Sequence, residues 1–159
     1  MVYNIFKRLH LPQNEKMHYV AKIVGLHLRP ISLVEEGVTD SALRRLIFEA
    51  GDDLEDLLIH AEADITSANK QKVNKYLANF SDLRIKLAET EEKDRIRNFQ
   101  PPISGEEIMS HFGIGPSKEV GIIKNAIKNA ILDGQIGNNR EEAWNYMLEL
   151  AGKLGLKTA

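Results

Sequence analysis

Two side chains with metal-ligand chemistry stand at the ends of apolar helical runs: His27 and Asp64. His60 and Asp64 are four residues apart. A helix puts both on one face, where an imidazole and a carboxylate can share a divalent ion. Two ligands alone hold such an ion weakly, so this spacing is in most proteins a surface coincidence. His27 with Asp64 is a different pairing, with one ligand from each of two helices, and imidazole plus carboxylate suits several divalent metals. No His-Asp dipeptide occurs in the chain to complete it. On the residues alone, His27 is a helix-end packing or hydrogen-bonding residue.

Phosphate chemistry has two candidates. Arg44 and Arg45 have the fork geometry to clamp a phosphate. Glu36, Asp40 and Glu49 are close in sequence, and pairing with them is the better expectation. The run Gly113-Ile114-Gly115-Pro116-Ser117-Lys118 fails both glycine-rich phosphate-loop templates and reads as a turn between helices. The free N–H groups that start the next helix, with Lys118 and Lys124 nearby, could still hold one RNA backbone phosphate. Trp144 and Phe112 fit core positions. No serine sits in a nucleophile-elbow context, and no carboxylate pair stands on a strand.

The elements that must position these residues are helical nearly everywhere. Val2, Ile5, Phe6 and Leu9 form a short amphipathic face that stops near Pro12. Met17, Val20, Ala21 and Val24 continue toward His27, with Arg29-Pro30 expected to end that helix. Residues 31–38 read as a loop or a single turn. Thr39 or Asp40 caps a helix carrying Leu43, Leu46, Ile47 and Ala50, closed by Gly51. Asp52 and Asp53 open an acidic helix running to Asp64. One long helix is expected from about Asn69 to Phe99, with Val73, Tyr76, Leu77, Phe80, Leu83 and Leu87 on one face. Its charged end, Glu89 to Arg97, reads as a solvated connector. Gln100-Pro101-Pro102 forbids continuation and marks a boundary. Three shorter helices follow: one behind a Ser104/Glu107 capping box, one with Pro116 in its first turn and Gly134 at its end, and one capped by Asn139 and Glu142. Ala143, Trp144, Met147, Leu148 and Ala151 face inward on the last. The expected fold is all-α, with a first domain over 1–99 and a small three-helix domain over 103–159.

The bulk numbers fit that reading. A chain of 159 residues, 43% hydrophobic and 28% charged, is long enough for a real core. A net charge of -2 gives no strong footprint for autonomous nucleic-acid binding. With no cysteine, disulfides, zinc-thiolate sites and thiol nucleophiles are excluded. Met1 to Leu11 lacks the uninterrupted apolar core of a signal peptide, and no later segment reaches the length of a membrane span. A cytoplasmic, soluble protein without a membrane partner is expected.

Taken in order, these strings resemble the C-terminal, all-helical part of the bacterial tRNA nucleotidyltransferases, the CCA-adding and poly(A) polymerase family. The likeness is to members that carry an HD-type domain after the polymerase head. It runs through Leu26 to Pro30, Thr39 to Gly51, Glu62 to Asn69 and Asp94 to Gly105. It continues through Ile108-Met109, Phe112-Gly113, Glu119 to Gly121, Ala130 to Gly134 and Glu142-Ala143. The resemblance implies a body and tail region without the catalytic head, incapable of nucleotide addition alone. It also implies a parent enzyme using Mg and CTP or ATP, with no cofactor in this segment. The neck motif of the family is absent, because Glu55-Asp56 is followed by Leu57, Leu58 and Ile59 without its arginine.

The same resemblance makes His27 a later HD-site histidine and Asp64 the final aspartate, with the rest of the metal set upstream of Met1. The partner it implies is tRNA, held by shape and phosphate. Arg95, Arg97, Lys118, Lys124 and Lys128 are the candidate RNA contacts. The alternatives are a fragment of an HD-type metal-dependent phosphohydrolase and a helical interaction module that forms a homodimer.

Overall fold

The computed structural model describes residues 1–36, 38–66 and 68–156. Among them there is no strand, and the fold is all-α. Two compact units divide the chain, residues 1–98 and 99–159.

The first unit contains α1 (Val2–Arg8), α2 (Glu15–Leu26), α3 (Leu28–Glu36), α4 (Asp40–Ala50), a short 3-10 turn (Gly51–Asp53), α5 (Leu54–Ala63) and α6 (Lys70–Asp94). Helix α4 packs against α6, α5, α2 and α3, which makes it the centre of the unit. Leu46, Ile47, Leu57, Phe80 and Leu83 are its most deeply buried large side chains. Their spacing is that of single apolar stripes on α4, α5 and α6, so each helix gives one face to a common core. Leu77 falls outside the stripe expected for α6 and is exposed, as is Val24 on α2.

Two boundaries differ from expectation. Residues expected to form a loop after Pro30 form α3 instead. Pro30 has no N–H for the Leu26 carbonyl, so α2 stops; in the first turn of α3 the same missing donor would have been unpaired anyway. Pro30 therefore ends one helix and begins the next, and its ring is buried. Gly37, at the end of this segment, lies outside the described residues.

The long helix also stops early, at Asp94, because Arg95 adopts a left-handed conformation (φ 48°). Its charged end does not project from the unit. Arg44 on α4 donates from Nε to Asp94 at 2.7 Å, and Ile96, just past the helix end, is buried. Continuing the helix would carry Ile96 away from this site, so burial and the ion pair outweigh the helical continuation. Arg44 thus pairs fifty positions away, where a partner near in sequence had been expected; the expected Glu36 side chain lies outside those described.

The corner between α4 and α5 is locked by local chemistry. Thr39 Oγ1 accepts from the Ala42 N–H at 3.2 Å to start α4, and Gly51 ends it with φ 57°. Lys22 Nζ donates to the Ala50 carbonyl at 3.3 Å and to Asp53 at 2.5 Å, placing a cation at the negative end of α4. Asn98 Nδ2 donates to Asp52 at 2.9 Å.

The second unit is built from α7 (Gly105–Phe112), α8 (Lys118–Leu132) and α9 (Arg140–Lys153). Both bonds of the Ser104/Glu107 capping box are present. Asn139 accepts from the Glu142 N–H at 2.9 Å, and Glu142 accepts in return from the Gly137 N–H at 2.6 Å. Pro116 stands one residue ahead of the Ser117 cap, outside the first turn of α8. Ile108, Ile123, Ile127, Ala143 and Met147 are fully buried, whereas Leu148 is exposed and Trp144 half-buried. The start of α9 is tied to α7 by Arg140, which pairs with Glu107 at 2.6 Å and lies 5.4 Å from the Trp144 ring centre.

Candidate functional site

In the first unit, the packing of α2 on α5 brings the ring chemistry together. His27, the C-cap of α2, meets His60 on α5 edge to face, with ring centres 6.3 Å apart. Asp64, one turn beyond His60, lies 3.7 Å from His60 Nε2. His60 is therefore the residue through which the two separately considered pairings become one cluster.

His27 Nδ1 lies 2.7 Å from the Val24 carbonyl. A carbonyl oxygen only accepts, so Nδ1 is the donor and the neutral ring keeps its lone pair on Nε2. That arrangement fits a base or a metal ligand whose second nitrogen is oriented by backbone. His60 and Asp64 are roughly half exposed, which weakens their mutual attraction in water. Among the described residues no group of three histidine, aspartate or glutamate side chains is arranged to hold a metal ion. The chain's own described side chains thus do not make up a complete divalent-metal site, and no reaction step is derived through one. Ser67, in the Glu62–Asn69 string, lies outside the described residues.

The neighbouring acids are already engaged. Asp56 accepts from the Tyr19 hydroxyl at 3.0 Å, a bond that holds the Tyr19 phenol above its ordinary value of 10.0. Glu55 and Glu62 both pair with Arg84 of α6, Glu62 at 3.1 Å. The hydrogen bond to Glu62 is the main reason the Arg84 guanidinium stays protonated above its usual range. The pair Glu55-Asp56 is a helix-to-helix fastening.

The second unit carries the candidate phosphate contacts. Lys118 and Lys124 are exposed on the first two turns of α8, and Lys128 is half-buried and has a partner of its own. Ser117, the N-cap of α8, makes no side-chain cap hydrogen bond. Glu119 accepts from its own backbone N–H and from the Ser117 hydroxyl, which hold its carboxyl below the ordinary 4.5.

Arg95 and Arg97, in the first unit, follow the left-handed end of α6. Arg95 is exposed; the Arg97 backbone N–H donates to Glu91 at 3.2 Å and its guanidinium lies 3.7 Å from the same carboxylate.

Further lysines stand at the start of α6. Lys70, Lys72 and Lys75 lie within twelve residues, 70–81, that contain no aspartate or glutamate. They form no motif, and this charge run was their only signal in the sequence.

No family model matches the chain, and no curated protein or solved structure matches it either.

Proposed function

We propose that this chain is the RNA-handling helical part of a tRNA nucleotidyltransferase-type enzyme, with nucleotide addition carried elsewhere in the parent. The observation that supports it most is the pair Lys118 and Lys124, exposed on one end of a well-packed three-helix unit. Exposed ammonium groups of this kind act as point charges toward phosphates. The α-only architecture and the order of the sequence strings are compatible with the same assignment. Recognition in this reading is of duplex shape and backbone, with no base-specific contact required.

The test is tRNA affinity of the 159-residue chain against Lys118→Glu with Lys124→Glu. The expected result is a loss of at least about tenfold, with a shallower salt dependence. Unchanged affinity removes α8 from the account.

The approach of His27 to His60 and of His60 to Asp64, which do not by themselves form a metal set, carries a second reading, part of a metal-dependent phosphohydrolase site. Titrating Mn2+ into the chain and following the histidine ring resonances tests it. Selective broadening of His27 and His60, lost in Asp64→Ala, supports it; uniform, weak broadening of every histidine overturns it.

A further inference from the structure

We infer that an outward strip of α6 is a self-association surface, covered by α6 of a second copy of this chain running antiparallel to it. The core-facing strip of α6 carries Phe80, Leu83 and Leu87, all buried. A second strip carries Lys70, Leu77, Ser81, Ile85, Ala88 and Glu92, spaced by three, four or seven residues and so aligned on one side of the helix. Leu77 is 44% and Ile85 56% exposed. Ser81 and Ala88, also exposed, are small enough for another helix to approach closely. On α5, Ile59 is 53% exposed and stands between Glu55 and Glu62, the two acids that reach Arg84 of α6. Single exposed apolar residues are ordinary; an aligned set is a surface.

The symmetry of the strip identifies what covers it. Leu77 and Ile85 lie four residues either side of Ser81, and Lys70 and Glu92 lie eleven either side. A two-fold axis at Ser81 therefore sets Leu77 against the second copy's Ile85, and Lys70 against the second copy's Glu92. That is the self-complementarity an isologous interface requires. The charge along the helix is polarised in the same sense. Residues 70–81 carry three lysines and no acid, whereas residues 82–94 carry five acids and three bases. An antiparallel pair joins opposite charges at both ends, and a parallel pair sets like against like. Helices α2, α4, α5, α7, α8 and α9 each have a carboxylate in the first turn, at the positive end of the dipole; α6, the longest, has none. The second copy's Glu92 supplies it. Lys70 and Glu92 are both exposed and in no ion pair among the described residues. They cannot pair within one copy, because 22 positions of helix hold them about 33 Å apart.

Sedimentation equilibrium of the full chain tests the surface. A reversible monomer–dimer equilibrium is expected in the micromolar range. Ile85→Lys should weaken it at least about tenfold. Its melting temperature in dilute solution should hold, because the side chain is exposed, and this separates lost association from lost folding. Lys70→Glu alone and Glu92→Lys alone should each weaken the dimer, and the two together should restore it. Only pairing between copies gives that recovery. The chain has no cysteine, so Ser81→Cys should form a disulfide-linked dimer on mild oxidation and Asn74→Cys should not. Equal cross-linking of the two overturns the antiparallel arrangement, and no recovery in the double variant overturns the register. A monomer at every concentration overturns the second copy as the occupant. The RNA-handling reading is untouched by any of these results.

Discussion

Gly51 shows how much a single position can carry. Its backbone (φ 57°, ψ -130°) lies where only glycine is comfortable, and an added Cβ would stand 3.0 Å from Asn98 Oδ1. That same Asn98 amide holds Asp52, so the strain would fall on the fastening between the α4–α5 corner and the end of the unit. Gly51→Ala is expected to cost about 1–3 kcal/mol, read as a lower denaturation midpoint at unchanged slope. The glycine as a helix stop was legible in the sequence because that signal is local. Its contact with Asn98 was not, because the two are far apart along the chain. The same distance hid the joining of His27 to His60: each histidine was visible, but the packing of α2 on α5 that brings the rings together has no local signature.

At the scale of elements, the caps were the most legible feature. Thr39, Ser104 with Glu107, and Asn139 with Glu142 all act within three residues of themselves. Helix α3 was hidden because Pro30 signals both a stop and a start, and only the burial of its ring decides. The end of α6 was hidden because Arg44 and the site for Ile96 are supplied by tertiary structure.

The acid caps of the second unit carry a pH prediction. Glu107 is held below 4.5 chiefly by the Ser104 N–H and next by Arg140; Glu142 is held down by the Gly137 N–H and then by Asn139. Glu119 is held down by its own N–H and by Ser117. Each folded value is depressed, so the unfolded chain binds more protons in the window just below 4.5. The stability these groups add is complete above that value and drains away as pH falls through the folded values. Following the Trp144 fluorescence during acid titration, the second unit should weaken below about 4.5, and Glu107→Gln with Glu142→Gln should flatten that dependence.

For the whole molecule, the all-α class was readable from periodicity alone, since apolar stripes at helical spacing recur in both units. The proposed function was less readable, because the surface charge it invokes is reported by no periodicity. The net charge of -2 conceals a local excess of lysine at the start of α6 and an exposed lysine pair on α8. The proposed RNA-handling role requires recognition of helical shape and the 2′-hydroxyl, without regard to base sequence. The most direct measurement compares binding of an RNA minihelix, built as an acceptor and T arm, with a DNA duplex of the same sequence at one fixed salt concentration. The account predicts clear preference for the RNA, insensitive to scrambling its base pairs. Equal affinity for the DNA, or no binding of either, would contradict it.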